Sequence, residues 1–281
     1  MKFTKMHGLG NDYIYINGFK EEIDYNTLKE NIIKMSDRHF GIGSDGVILI
    51  LPSDKADVKM RMFNADGSEG KMCGNGIRCV GKYVYENNIS KNKNLKVETL
   101  AGIKELSLVV DDFDLVTSVN VNMGIPSLKT ADIPATLPSP TFINQDLKID
   151  NNIYKATLVS MGNPHCIIYT DSVDDIDLEP CGKKIEYADV FPERINVEFI
   201  QVVGPNELKM RVWERGSGET MACGTGACAS VVASCHNNLV ERDKEITVHL
   251  KGGDLFITYT QEGTVIMRGP ATKVFDGEIN I

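Results

Sequence analysis

The chain carries the same pattern twice. Residues 59–76, KMRMFNADGSEGKMCGNG, recur at 209–226 as KMRVWERGSGETMACGTG, an offset of 150 (209 − 59) with seven of the eighteen positions identical. Each block opens with strand-like alternation and ends in a Cys set among glycines. A helix-like stretch follows each, Ile77 to Tyr85 and Ala227 to Cys235. Upstream, Gly46-Val-Ile-Leu-Ile50 lies opposite Asn196-Val-Glu-Phe-Ile200 at the same offset, and Gly10-Asn11 opposite Gly162-Asn163 at 152 (162 − 10). Downstream, Val97–Gly102 resembles Val248–Gly253. Two copies are too few for a solenoid, so a pseudo-symmetric pair of domains is expected, and a cleft between domains is a usual place for a ligand.

Each half reads as several short alternating strands with about two helices. In the first, residues 25–37 suggest a helix, and 46–51, 58–63, 95–100, 103–110 and 115–121 suggest strands. Strand and helix do not alternate strictly enough for a doubly wound parallel sheet, so the expected class is α+β with mainly antiparallel sheet. The two halves are taken as 1–118 and 119–269, with the Pro- and polar-rich residues 126–152 as the connection.

Composition narrows the function. The 281 residues are 42% hydrophobic and 25% charged, as in a globular protein, with 30 Lys+Arg against 39 Asp+Glu and a net charge of −9. That balance and the lack of a basic cluster argue against a nucleic-acid partner. No run of about 18 apolar residues predicts a membrane span, and the opening residues hold no apolar signal segment, so a cytoplasmic chain with reduced thiols is expected.

Of seven cysteines, Cys73 and Cys223 occupy the matched positions, in Met72-Cys-Gly-Asn-Gly76 and Ala222-Cys-Gly-Thr-Gly226. Each sits where a helix should begin. Backbone N–H groups and the helix dipole there favour a thiolate, lower a Cys pKa and form an anion site that glycine lets a carboxylate approach. A thiolate and a thiol on opposite faces of one carbon are what a two-base racemase or epimerase needs. Either Cys alone reads as packing; repetition at Cys-Gly-x-Gly favours chemistry. Cys79, Cys228, Cys235 and Cys166 fall in apolar runs and read as core, and Cys181, beside Pro180, as an incidental loop thiol. Cys-x5-Cys and Cys-x4-Cys do not have zinc-site or dithiol spacing. Gly41-Ile-Gly43-Ser-Asp-Gly46 matches Gly-x-Gly-x-x-Gly, but a helix precedes it and a strand follows, the reverse of a dinucleotide site.

Lys5-Met-His-Gly-Leu-Gly-Asn-Asp12, Phe63–Glu69 leading into Cys73-Gly-Asn-Gly-Ile-Arg78, Met161-Gly-Asn-Pro-His165, Pro192-Glu-Arg-Ile-Asn196 and Glu214–Cys228 together resemble the diaminopimelate epimerase family. The resemblance runs to Gly269–Gly277, essentially full length. It implies the diaminopimelate epimerase-like α+β fold, two pseudo-symmetric domains of mainly antiparallel sheet around a central helix, with a C-terminal strand, 270–281, returning to the first half. It implies an isomerase that interconverts LL- and meso-2,6-diaminopimelate for lysine and peptidoglycan synthesis, with no pyridoxal phosphate or metal, as a possible homodimer. Carried over by motif, Cys73 and Cys223 are the acid–base pair. Gly74, Asn75, Gly224 and Thr225 hold the reacting carboxylate through their backbones. Asn11, Asn64, Asn163, Asn196, Glu214 and Arg215 bind the rest of the substrate, Arg215 through a fork that suits a carboxylate. His165 and Glu214 tune the thiols. Apart from the resemblance, Asn11, Asn64 and Asn163 read as turn residues, His165 as a core or loop histidine and Arg215 as a surface ion-pair partner. The sequence departs from some family members at Gly46, where they carry Gln.

Two other readings stay open on the residues alone. One is an isomerase of the same scaffold acting on another amino acid, against which Arg215 and the asparagine set argue. The other is a non-catalytic binding or thiol-sensing protein, which would not need both cysteines.

Overall fold

A computed structural model describes residues 1–280; the last residue of the expected C-terminal strand, Ile281, lies outside the described residues. The chain divides into two units, Met1–Val121 with the segment from Arg268 onward, and Asn122–Met267.

The first unit begins with β1 (Lys2–Gly8), β2 (Asn11–Asn17), α1 (Leu28–Ser36), β3 (Gly46–Leu51), β4 (Val58–Asn64), β5 (Glu69–Gly70), α2 (Gly74–Glu86), β6 (Asn94–Thr99), β7 (Gly102–Val110) and β8 (Val116–Gly124). Neighbours β1–β2, β3–β4, β6–β7 and β7–β8 are antiparallel, while β2–β3 and β4–β6 are parallel. β3, Gly-Val-Ile-Leu-Ile-Leu, is buried on both faces up to its last residue, as an unbroken apolar run should be. α2 is buried from Gly74 to Val80 with no polar face over those turns, because it packs against β1, β2 and β7. A satellite core of Phe3, Ile14, Ile16, Ile32, Met35, Val47, Leu49 and Phe63 lies beneath α1.

The second unit repeats the plan. It holds β9 (Gln145–Ile149), β10 (Asn152–Ser160), β11 (Pro164–Tyr169), α3 (Leu178–Glu186), β12 (Asn196–Gly204), β13 (Glu207–Glu214), β14 (Gly218–Glu219), α4 (Gly224–His236), β15 (Glu245–Leu250), β16 (Gly253–Tyr259) and β17 (Val265–Gly269). Here β10–β11, β12–β13 and β15–β16 are antiparallel, and β11–β12 and β13–β15 parallel, strand for strand as in the first unit. α4 carries small residues on every side and packs against β10, β11, β12 and β16. β18 (Thr272–Glu278) then pairs with β1, antiparallel, as β9 does with β10. Among the described residues no helix is long and apolar enough to cross a membrane.

The α+β class with mainly antiparallel sheet stands; the parallel pairs are β2–β3, β4–β6, β11–β12 and β13–β15. Three local expectations are corrected. The first helix starts at Leu28 rather than Tyr25, because the Asp24 carboxylate accepts the Asn26 N–H and the Thr27 hydroxyl and holds a turn there. Residues 126–152 are not merely a connection: they include β9, and Ile133, Phe142, Leu147 and Ile149 are buried in the second unit's core. Cys181 lies in α3 and packs against that core, not in a loop.

Candidate active site

Cys73 and Cys223 are the N-cap residues of α2 and α4. Each has an extended backbone, φ −128° and −112°, and each sulfur accepts the N–H three residues on, from Gly76 at 3.4 Å and from Gly226 at 3.3 Å. A thiol therefore does what a Ser or Asp oxygen ordinarily does at a helix start. The glycines that follow form the first turn, where the N–H groups point outward along the axis.

Around Cys73 the first unit gathers Asn11, Asn75, Asp45 and Tyr13. Cys73 donates its S–H to Asn11 Oδ1 at 3.3 Å, and Asn75 Nδ2 donates to the same oxygen at 3.4 Å. Asn11 Nδ2 in turn donates to Asp45 Oδ2 at 2.7 Å. Asn75 is held from behind by the fully buried Arg78, whose Nη2 donates to its Oδ1 at 3.0 Å while Nη1 and Nε bind the Gly74 and Pro270 carbonyls. Tyr13 is buried, which, with Cys73 next, pushes its hydroxyl pKa far above the usual value. Asn64 stands apart: it is exposed and donates to Ser68 Oγ at 2.9 Å, within its own turn. Gly46 has no room for a side chain, since a Cβ there would lie 1.9 Å from the Phe63 carbonyl oxygen.

Around Cys223 the second unit gathers Asn163, His165, Glu198, Glu214 and Thr225. Thr225 Oγ1 lies 3.5 Å from the sulfur, Asn163 Nδ2 donates to that hydroxyl at 3.2 Å, and Asn163 Oδ1 is 3.1 Å from His165 Nε2. On the far side of the ring, His165 Nδ1 is 2.6 Å from Glu198 Oε1. Glu214 accepts the Thr220 hydroxyl at 2.5 Å. Burial, then the charge of Glu198, raises the Glu214 carboxyl above its ordinary pKa. Asn196 donates to the Pro164 carbonyl at 2.8 Å and accepts the Arg215 N–H at 2.9 Å; the Arg215 guanidinium is turned to the Glu193 carbonyl at 3.1 Å.

The expected effect of a helix start on thiol acidity is reversed at Cys223. Burial, then the carboxylates of Glu214 and Glu198, holds this thiol well above its ordinary pKa, against the smaller pull of Thr225 and the Gly226 N–H. The helix dipole is worth at most ~2 kcal/mol in a partly buried setting, less than burial beside two carboxylates costs a thiolate. Sequence reasoning missed Glu198, Asp45, Tyr13, Thr220 and Arg78. Only Glu198 left a mark: it interrupts the apolar run Val197-Glu-Phe-Ile200 at the position where the first copy has Ile48 (198 − 150).

A protein-family model described as diaminopimelate epimerase matches residues 3–129 and 157–274. A diaminopimelate epimerase of Acetivibrio thermocellus is 54% identical over 282 residues, covering 100% of this chain and 99% of the relative. A diaminopimelate epimerase of Bacillus cytotoxicus is 54% identical over 276 residues, 98% of this chain and 96% of the relative. Among solved structures, a probable proline racemase from Agrobacterium radiobacter K84 superposes with a TM-score of 0.72 at 14% identity, covering 100% of this chain and 93% of the other. A phenazine biosynthesis protein of the PhzF family from Bacillus anthracis gives 0.70 at 17%, covering 100% and 99%. Both structural likenesses speak to the fold.

Proposed function

We propose a function from one premise: the chain belongs to the diaminopimelate epimerase family. It interconverts LL- and meso-2,6-diaminopimelate, an isomerase reaction in the formation of lysine and peptidoglycan precursors. The observation that carries the reading is the pair of N-cap cysteines 150 residues apart, each in the same Cys-Gly-x-Gly setting.

The two thiols are the acid and the base. One, as thiolate, takes the α-proton: the Cα–H bond breaks, an S–H bond forms, and the electron pair stays on carbon, spreading into the carboxylate. The other thiol gives its proton to the opposite face of that carbon and leaves as thiolate. N–H groups of the first turns, at Gly74, Asn75, Gly224 and Thr225, receive the carboxylate and the charge that builds on it. Such donors are aimed before the reaction starts, so no solvent has to reorganise around the carbanion. Asn11, Asn64, Asn163, Asn196, Glu214 and Arg215 read the rest of the substrate in this account. For Arg215 that means leaving the Glu193 carbonyl, and for Asn64 leaving Ser68. Gly46 contributes no side chain.

A cytoplasmic homodimer belongs to the same reading. The seven cysteines, all free thiols, suit a reducing compartment, and a sedimentation mass checks the dimer.

The test is proton NMR of the reduced protein with LL-diaminopimelate in D2O. Loss of the α-proton signal as the meso isomer grows in is expected. A folded, fully reduced protein that leaves the signal intact would remove this substrate.

A further inference from the structure

Glu198 is fully buried, yet nothing in the reaction so far uses it. It lies on β12 between Val197 and Phe199, both buried, and its Oε2 is the one buried side-chain polar atom found without a hydrogen-bond partner among the described residues. A carboxylate in such a place carries a desolvation cost that a structural role rarely justifies. The repeat supplies an internal comparison. At the matched position of β3 the first unit has Ile48, also fully buried, so the fold accepts an apolar side chain there. The departure is local to the Cys223 half.

The hydrogen bonds around Glu198 can be followed to the sulfur. Asn163 donates through Nδ2 to Thr225 Oγ1, so the atom it turns to His165 is Oδ1, which only accepts. His165 Nε2 therefore carries a proton. The other ring nitrogen, Nδ1, shares a proton with Glu198 Oε1 at 2.6 Å. Thr225 accepts from Asn163 and lies 3.5 Å from Cys223 Sγ, where its one O–H is the donor whenever that sulfur is a thiolate. Glu198, His165, Asn163 and Thr225 thus form one directed chain, and each link depends on the one before. Gly226 closes the arrangement: a Cβ there would lie 2.6 Å from Glu198 Oε1 and 3.2 Å from Cys223 Sγ.

We propose that Glu198 is a positioning residue of the Cys223 half, which fixes the His165 ring with its Nε2–H on Asn163 and so keeps the Thr225 hydroxyl on the Cys223 sulfur. That hydroxyl steadies the sulfur as it takes and returns the proton, and sets the direction in which its lone pair points. The first half is wired differently: there the sulfur meets Asn11, which is itself bound to Asp45, and Tyr13 stands in the place of His165 (165 − 152). The inference rests on Cys223 being one of the two proton-transfer groups.

The test uses Glu198→Ile, which installs the first unit's own residue, and Glu198→Gln, whose amide can still meet His165 Nδ1. Each is made alone and with Thr225→Val. Wild type is assayed beside them, and an inactive wild type would defeat the parent function and not this proposal. Glu198→Ile is expected to lower kcat about ten- to hundred-fold, a share of what positioned proton transfer supplies, with KM within about twofold. Glu198→Gln is expected to recover most of that loss. In the Thr225→Val background Glu198→Ile should cost little further, because both act through one hydroxyl. The proposal is overturned by full kcat in Glu198→Ile, by Glu198→Gln being as slow as Glu198→Ile, or by losses that multiply in the double variant. If Glu198→Ile does not fold, Glu198→Met, of similar length and without strong hydrogen bonding, takes its place with the same outcomes.

Discussion

At the scale of single residues the two thiols are not equivalent, although the sequence around them nearly is. Cys223 faces Glu214 and Glu198, and these carboxylates add to burial in holding it as a thiol. Thiolate grows as pH rises through the thiol's pKa; removing a negative neighbour lowers that pKa and moves the rise to lower pH. In Glu214→Gln, iodoacetamide should therefore modify Cys223 faster than in wild type at pH 8, by roughly three- to tenfold, since one pKa unit is a tenfold change in thiolate. Peptide mapping separates Cys223 from the other thiols. An unchanged or slower rate would mean that Glu214 does not act on this sulfur. Cys79, by contrast, is fully buried and its thiol is pushed up to about 11, so it should stay unmodified while the fold is intact.

At the scale of elements, a pair of helix starts holds the two matched cysteines, and Gly226 shows how tightly the second one is built. A Cβ at Gly226 meets a fully buried carboxylate and the Cys223 sulfur, whereas at Gly76 it meets Ile48 Cδ1, at 2.6 Å, the movable end of an apolar side chain. Gly226→Ala should cost about 1–3 kcal/mol, the usual range for overpacking a core, read as a lower urea midpoint, and should lower turnover more than Gly76→Ala does. Equal midpoints and equal rates in both variants would contradict the close fit. The same elements show what a sequence can and cannot tell. The Cys-Gly-x-Gly turns, the helices after them and the strand Gly46–Leu51 were legible because each is announced within a few residues: glycine at the turn, apolar residues at the element's own period. The acidity of Cys223 was not, because Glu214 lies nine residues before it and Glu198 twenty-five, and only the pairing of β12 with β13 brings both near the start of α4. Strand β9 was hidden for another reason. Its neighbours are prolines and polar residues, and its burial comes from pairing with β10.

At the scale of the whole molecule, the chain's end completes its beginning. β18 pairs with β1, Thr4 Oγ1 donates to Asp276 Oδ1 at 2.6 Å, and Phe275 packs edge-on against Phe3 with ring centroids 5.9 Å apart. Deleting residues 272–281 leaves β1 with one unpaired edge. A fall in Tm of about 10 °C or more is expected, since ~1 kcal/mol moves a domain of this size class by 2–8 °C and several such contacts are lost together. A Tm within about 2 °C of the full chain would contradict the role assigned to the returning strand. The central claim is larger than any one contact: a duplicated helix start supplies both the acid and the base of one epimerisation. The most direct test is turnover of LL-diaminopimelate by Cys73→Ser and by Cys223→Ser, with binding of the same compound followed by calorimetry. Each variant should lose at least about a thousandfold in epimerisation while still binding, because inversion needs a proton taken on one face and given on the other. Full turnover by either variant would contradict the two-thiol account.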